Sequence, residues 1–283
     1  DSGSKVNMSN LVSSSGVIAT DVTGVGTARS ELAAASYGGD KAIFGYGTTG
    51  SVSSLTNLVS SSGVVATDVT GVGTARRALA AASYGSDGSV DGDKAIFAYG
   101  NTGSRVSLSN LVSSSGVVAT DTTGVGTARD YLAAAGYGVG LAIFAYGYTP
   151  YTAVSNLVSN TGVVASDVTG VGTARAWVGA VRYGSSGQSL FAYGQNSGGY
   201  HSMRNLVSNT GVVASDVSGA GTARAQISAA SYGEDKAIFA YGYVGGYQNM
   251  SNLVSNSGVV ATDVTGVGTA RQSLAAAGYS FSA

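Results

Sequence analysis
Apolar positions along the chain fall in short runs separated by glycine, serine and threonine. Between Ser54 and Gly100, Leu55–Ser60 leads to Val64-Val65-Ala66-Thr67-Asp68 through the polar turn Ser61-Ser62-Gly63. The loop Thr70–Thr74 then precedes Ala78–Tyr84, and a loop of variable length precedes Ala95–Gly100. Runs this short, each punctuated by glycine, predict β-strands and not helices. The alanine-rich run alone would suit a helix, but its flanking glycines, its tyrosine and its brevity argue for a strand. The small side chains of Leu79-Ala80-Ala81-Ala82-Ser83 suit an innermost strand. Ala95-Ile96-Phe97-Ala98-Tyr99, apolar on both faces, suits a strand sandwiched between neighbours, with the Leu58 and Val64-Val65 runs lying progressively outward.

The same pattern recurs six times. Asn10-Leu11-Val12-Ser13 returns at Asn57, Asn110, Asn156, Asn205 and Asn252, and Gly-Thr-Ala-Arg ends at Arg29, Arg76, Arg129, Arg175, Arg224 and Arg271. Successive arginines are 47, 53, 46, 49 and 47 residues apart. Four strands at a period of about 47 residues predict one propeller blade per copy. The expectation is therefore an all-β, six-bladed β-propeller of four-stranded blades, one domain over residues 1–283. Entry at Val6–Ser13 matches a third strand and exit at Leu274–Tyr279 an innermost one. Tyr279-Ser280-Phe281-Ser282-Ala283 reads as a shortened Phe-Ala-Tyr-Gly strand. The ring is expected to close by pairing N- and C-terminal strands in one blade, which would protect both terminal edges.

An arginine opening a small-residue strand, a turn and then an Ile-Phe-x-x-Gly strand resemble a kelch repeat. The resemblance covers all six units and implies the propeller fold. Tyr99-Gly100 stands where kelch repeats carry a double glycine, and the usual outer-strand tryptophan is absent. The near-identical Gly-Thr-Ala-Arg units also resemble tandem repeats of uncharacterised phage and environmental proteins, which implies a virion or extracellular setting.

Composition narrows the function classes. Only 10% of residues are charged, the formal net charge is −1, and 44% are hydrophobic, a balance that excludes disorder. Glycine is abundant at 44 residues, but without a three-residue period or accompanying proline it does not signal collagen. No basic run exists to neutralise phosphates, so nucleic acid is not an expected partner. Apolar stretches are far shorter than the ~20 residues that span a bilayer, so membrane insertion is not expected. The absence of cysteine removes disulfides, thiolate ligands and thiol nucleophiles.

Features constant among the copies read as structure. Asp21, Asp68, Asp121, Asp167, Asp216 and Asp263 each precede the repeat arginine by eight residues. Six equal copies suit buried ion pairs or clips to the same or next unit, because an active site needs its groups in different environments. The alternative, a ring of catalytic acids or a cation site, would need such differences. Tyr37, Tyr84, Tyr137, Tyr183, Tyr232 and Tyr279 end one run, and Tyr46, Tyr99, Tyr146, Tyr193 and Tyr241 the next. Their rings should pack between units while the hydroxyls reach loop carbonyls or water. The repeated asparagines should satisfy backbone groups. Gly71-Val72-Gly73 lacks the lysine and helix of a phosphate loop.

Features that vary are where function is expected. The loops Thr48–Ser54, Asn101–Ser107, Tyr148–Val154, Gln195–Met203 and Tyr243–Met250 carry Tyr148, Tyr151, Tyr200, His201, Tyr243 and Tyr247, expected on one face as a continuous aromatic rim. Exposed tyrosines offer stacking area and a hydroxyl at little entropic cost, suited to sugars or protein surfaces. Arg105 and Arg204 in the same loops could orient a polar or anionic ligand. The aspartates of Asp87–Asp93 resemble part of a calcium loop but lack its full spacing and terminal glutamate; a solvated hairpin tip is the expectation, with no metal or other cofactor. Trp177 and Arg182 are singular among the inner runs, Arg182 being placed in or beside a central channel. His201, the only histidine, has no evident triad partners.

These features lead to a non-catalytic extracellular or virion-surface recognition or structural module, contacting a glycan or protein through variable loops. Self-assembly, or a place in a larger particle, is the structural alternative. A carbohydrate-active hydrolase or lyase is the enzymatic one, and would need two differentiated carboxylates from among Glu31, Asp130 and Glu234.

Overall fold
The computed structural model describes residues 3–85 and 92–279, and all regular structure among them is β-strand. Five sheets have three antiparallel strands each. In chain order they are β1 (Ala33–Tyr37), β2 (Lys41–Gly45) and β3 (Thr56–Val59); β4 (Ala80–Tyr84), β5 (Lys94–Ala98) and β6 (Ser109–Val112); and β7 (Ala133–Tyr137), β8 (Leu141–Ala145) and β9 (Ser155–Val158). The fourth comprises β10 (Gly179–Tyr183), β11 (Gln188–Ala192) and β14 (Arg204–Val207), and carries the two-stranded hairpin β12 (Gln195–Asn196)–β13 (Gly199–Tyr200). The fifth comprises β15 (Ser228–Tyr232), β16 (Lys236–Tyr243) and β17 (Tyr247–Val254). In each three-stranded sheet the alanine-rich strand is at one edge and the Asn-Leu-Val strand at the other. Register is constant: Ala81 opposes Phe97, which opposes Asn110, as Ala34 opposes Phe44 and Phe44 opposes Asn57.

The expectation of a six-bladed propeller with four-stranded blades is corrected on three points. First, each sheet stops at three strands. The Val64–Asp68 run makes only the isolated bridges Val59–Val65 and Thr56–Val69. The cause is the repeated asparagine: Asn57 Nδ2 donates to Ala66 O, taking up a carbonyl that a continuing ladder would need. Val64 and its counterparts remain exposed, so no apolar cover favours a strand there. Second, among the described residues the sheets are separate, with no strand pairing from one to the next and no closed ring of strands. Third, no N-terminal strand pairs with a C-terminal one among the described residues. Ser9–Val22 and Val12–Ile18 are isolated bridges, Leu274–Tyr279 forms no strand, and a cavity of about 680 Å³ lies between these stretches. The tail Ser280–Ala283, expected to extend a shortened strand, lies outside the described residues.

The sheets pack on one another in order through their alanine strands, β1 on β4, β4 on β7, β7 on β10 and β10 on β15. The middle strands provide the core: Ala95, Ile96, Phe97 and Ala98 have no solvent exposure. Burying a Phe or Ile side chain this completely contributes roughly 1.5–3 kcal/mol. Tyr46 packs on Phe97 of the next sheet with ring centres 5.2 Å apart, and Tyr99–Phe144, Tyr146–Phe191 and Tyr193–Phe239 repeat the contact. The tyrosine hydroxyls donate to loop carbonyls, Tyr99 Oη to Val125 O at 3.2 Å.

Both terminal stretches sit between the fifth and first sheets: Gly16 lies against the Tyr232 ring and Gly63 against the Tyr279 ring. A narrow space is lined by small residues of all six copies, from Ala34–Ser36 to Ala276–Gly278. Arg182 projects beside it and donates from Nη2 to Gly138 O. At one end, six backbone hydrogen bonds run in a cycle: Ala78 N–H to Glu31 O, Tyr131 to Ala78, Trp177 to Tyr131, Gln226 to Trp177, Ser273 to Gln226 and Glu31 to Ser273.

Candidate functional site
Two polar systems use the same residue types differently. In the constant one, Arg76 is fully buried. Its Nε donates to Tyr99 O at 2.8 Å, Nη1 to Thr74 O at 3.1 Å and Nη2 to Asn110 Oδ1 at 2.7 Å. Its guanidinium lies 4.4 Å from the Tyr46 ring centre, and Nη1 is 3.8 Å from Asp121. Asp121 accepts from the Thr74 hydroxyl and backbone N–H and from Asn110 Nδ2. The arginine therefore meets the aspartate of the following copy, not the one eight residues before it. Arg29–Asp68, Arg175–Asp216 and Arg224–Asp263 repeat this at 3.5–3.8 Å, and Arg271 meets Asp21 at 3.4 Å, tying the two terminal stretches together. Arg129 reaches Asp167 through Asn156, at 2.7 and 2.8 Å.

Gly73 explains part of the repeated sequence. Its φ is +76°, and a Cβ there would lie 2.5 Å from both Asp121 Oδ1 and Asn110 Nδ2. Burial alone would raise the six aspartates; the threonine hydroxyl, asparagine amide and threonine N–H together outweigh it and hold all six below the usual aspartate range.

The variable system is at the end of the hydrogen-bond cycle. Glu31, Ala78, Tyr131, Trp177, Gln226 and Ser273 each stand two residues after the repeat arginine, all at φ of +53° to +57°. This left-handed backbone costs about 1–3 kcal/mol per non-glycine residue and persists only where surrounding bonds dictate it. The cycle supplies those bonds, and it brings six non-equivalent side chains to one place. The preceding residue bridges the variable loop of its own unit, as Arg77 does Asn101, Asp130 does Tyr148 and Ala225 does Tyr243.

Around this end Trp177 gathers three tyrosines. Ring centres are 4.5 Å apart for Tyr131–Trp177, 6.2 Å for Tyr148–Trp177 and 6.4 Å for Tyr151–Trp177, while Tyr148 and Tyr151 meet edge-on at 5.0 Å. Arg105 stacks 4.7 Å from the Tyr148 ring centre and pairs with Asp130 at 3.1 Å. Asn101 Nδ2 also donates to Asp130. On the adjoining side Arg77 pairs with Glu31 at 3.1 Å, and the Tyr131 hydroxyl donates to Glu31 at 3.3 Å. Burial first, then the Glu31 charge, push the Tyr131 phenol up to about 12, so it remains a donor.

Tyr200, Tyr243 and Tyr247 form a second cluster, with centres 6.4 and 5.9 Å apart. No ring contact joins the two clusters among the described residues, so the expected continuous rim is two patches. Arg204 and His201 turn elsewhere: Arg204 Nη1 donates to Ser218 O, and burial lowers His201, as does Arg175, against the opposing pull of Asp216. Glu31 and Asp130 are each held by a different arginine, and Glu234 is at the β15–β16 turn. No group of three or more metal-ligating side chains occurs among the described residues. The calcium-like segment falls largely outside them, Ser86–Asp91 not being described.

Tyr131, Arg77, Asn101 and Gln226 are not among the candidate residues that loop variability singles out. A signal existed: the dipeptide after each repeat arginine differs in every copy, against an otherwise constant background. No protein-family model matches the chain, and no curated protein matches it.

Proposed function
We propose that the chain is a non-catalytic recognition module that holds a glycan or a protein surface at the end where its non-repeating side chains converge. The observation that carries this is the half-buried Trp177–Tyr131–Tyr148–Tyr151 cluster, bordered by the Arg105–Asp130 and Arg77–Glu31 pairs. Aromatic faces offer stacking area to pyranose rings or apolar side chains, and the flanking ion pairs offer directional donors and acceptors. Mutual packing of the rings preorganises them, which lowers the entropic cost of binding.

The non-catalytic part is supported by the state of the carboxylates. A glycosidase needs one carboxyl as acid and another as base or nucleophile across the scissile bond. Glu31 and Asp130 instead each face their own arginine. Glycan-array and protein pull-down screens should yield a ligand whose binding is lost in Trp177→Ala and Tyr151→Ala with the fold intact. Ligands that bind both variants as tightly as the parent would refute the assignment.

A further inference from the structure
Resting on the recognition role given above to the end of the hydrogen-bond cycle, we propose that its ligand is an uncharged pyranose sugar whose hydroxyl groups are read by Gln226 and Ser273. The six residues of the cycle divide into two halves. Tyr131 and Trp177 are consecutive in it and stacked, with ring centres 4.5 Å apart. Gln226, Ser273 and Glu31 are consecutive as well, and all are polar, while Ala78 completes the circle with a methyl group. An aromatic arc therefore faces a polar one across the cycle. A pyranose ring has the same division, a C–H face and a rim of hydroxyl groups, so one ring can stack on the first arc and hydrogen-bond to the second.

The polar arc keeps the kind of bonding capacity that hydroxyl groups need. Ser273 Oγ donates to Gln226 Oε1 at 2.6 Å, which fixes the amide and leaves Gln226 Nε2 with no acceptor among the described residues. Glu31 receives Arg77 Nη1 on both oxygens and the Tyr131 hydroxyl on one of them. That fills three of a carboxylate's roughly four lone-pair sites, so one acceptor site remains. All three side chains are half-buried, within reach of a ligand and held by their neighbours. A fixed amide donor in the same arc as a carboxylate acceptor matches the two capacities of a sugar hydroxyl.

Charge argues against the other ligand classes. The ionised groups bordering the cluster are joined as Arg77–Glu31 and Arg105–Asp130, each at 3.1 Å, and so cancel. In both pairs the acid is the more enclosed partner, Asp130 being 2% exposed against 35% for Arg105. A sialylated or sulfated sugar would have to draw an arginine away and leave an enclosed carboxylate uncompensated, which is costly. A cationic ligand would meet carboxylates that are already paired. An apolar protein side chain would suit Tyr131 and Trp177 but would cover Gln226 Nε2 without giving it an acceptor, leaving a desolvated donor. An uncharged ring bearing hydroxyl groups satisfies both arcs.

The test presents the full chain with an array of neutral hexopyranose oligosaccharides and their sialylated and sulfated forms. Neutral members should bind, and their anionic forms should bind more weakly. In calorimetry with the best neutral oligosaccharide, affinity should change less than about twofold up to ~0.5 M sodium chloride, since no ion pair forms on binding. Gln226→Ala should weaken binding at least about tenfold and Ser273→Ala, which unfastens the Gln226 amide, at least about threefold. Both variants should fold, because Ala78 holds the equivalent place at the same backbone angle. A preference for sialylated or sulfated members overturns the proposal, as does neutral-sugar binding that neither variant weakens. A protein ligand lost in Trp177→Ala, with no glycan signal, also overturns it but leaves the recognition site standing. Glycan binding indifferent to Trp177→Ala, or binding of neither glycan nor protein, would remove both.

Discussion
Arg76 and Arg77 are adjacent in sequence and belong to different regions of the molecule. Arg76 has no solvent exposure and spends its guanidinium on Tyr99 O, Thr74 O and Asn110, under the ring of Tyr46. Arg77 is 40% exposed at its side chain and makes one ion pair, with Glu31. The first has a counterpart in every copy; the second has none, its place being taken by Ser30, Asp130, Ala176, Ala225 and Gln272. Where chemistry is copied it is consumed internally, donor by donor. At Arg77, which is not copied, much of the side chain faces solvent with bonding capacity to spare.

Substitution at the two positions should separate the regions most strongly. Removing Arg76 as Arg76→Met leaves Tyr99 O and the buried Asn110 amide oxygen without the donors that Arg76 supplies, and Asp121 without its cation. The cost should be about 3–5 kcal/mol, as for breaking a buried charged pair from one side. Arg77→Ala should cost no more than ~1 kcal/mol, the range of exposed ion pairs. Chemical denaturation of both variants checks this. Similar losses for the two would show that copying and exposure do not sort scaffold from surface here.

Acid should discriminate next. The six repeat aspartates are held below their ordinary value of about 3.9 in the folded chain. With native values depressed, the unfolded chain binds more protons, so this stabilisation is complete above the unfolded value and lost as pH falls through the native ones. As far as these carboxylates set it, the thermal midpoint should thus be steady from neutrality to about pH 5 and fall steeply below about 4. In Asp121→Asn the fall should be shallower by one carboxylate's share, from a lower starting midpoint. An unchanged slope in that variant would detach the constant network from acid sensitivity.

The same division sets what could be read from the residues alone. Three of the four runs were legible in the five copies that form sheets, because their apolar patterns are dictated by burial: in one of them the alanine, Ile-Phe and Leu-Val runs become β4, β5 and β6. The fourth was not, because its Val-Val-Ala-Thr pattern suits a strand while a side chain, Asn57, takes the carbonyl that would extend the ladder. The missing terminal pairing was illegible for a related reason. The runs Val6–Ser13 and Leu274–Tyr279 match their counterparts residue for residue in type, yet among the described residues they form only isolated bridges or no strand at all. At the candidate site, loop variability pointed to Tyr148 and Tyr151, but Trp177 and Tyr131 come beside them only through a backbone cycle whose left-handed residues carry no consistent side chain.

The smallest effect tests the border between the regions, at His201. It follows the variable hairpin β12–β13, yet its surroundings belong to the constant network: burial lowers its affinity for a proton, Arg175 adds to this, and Asp216 only partly opposes it. Its Nε2 is buried without a hydrogen-bond partner, so a charged imidazolium would have a proton with nowhere to donate it. A native value below the usual ~6.5 means the unfolded chain takes up the proton first. Stability is then full above ~6.5 and declines as pH falls through the native value, and His201→Gln should flatten that slight decline. As the only histidine, its ring proton resonance can be titrated without assignment ambiguity. A titration midpoint at or above ~6.5 would mean that Asp216 or solvent governs the ring, and would move His201 from the scaffold to the working surface.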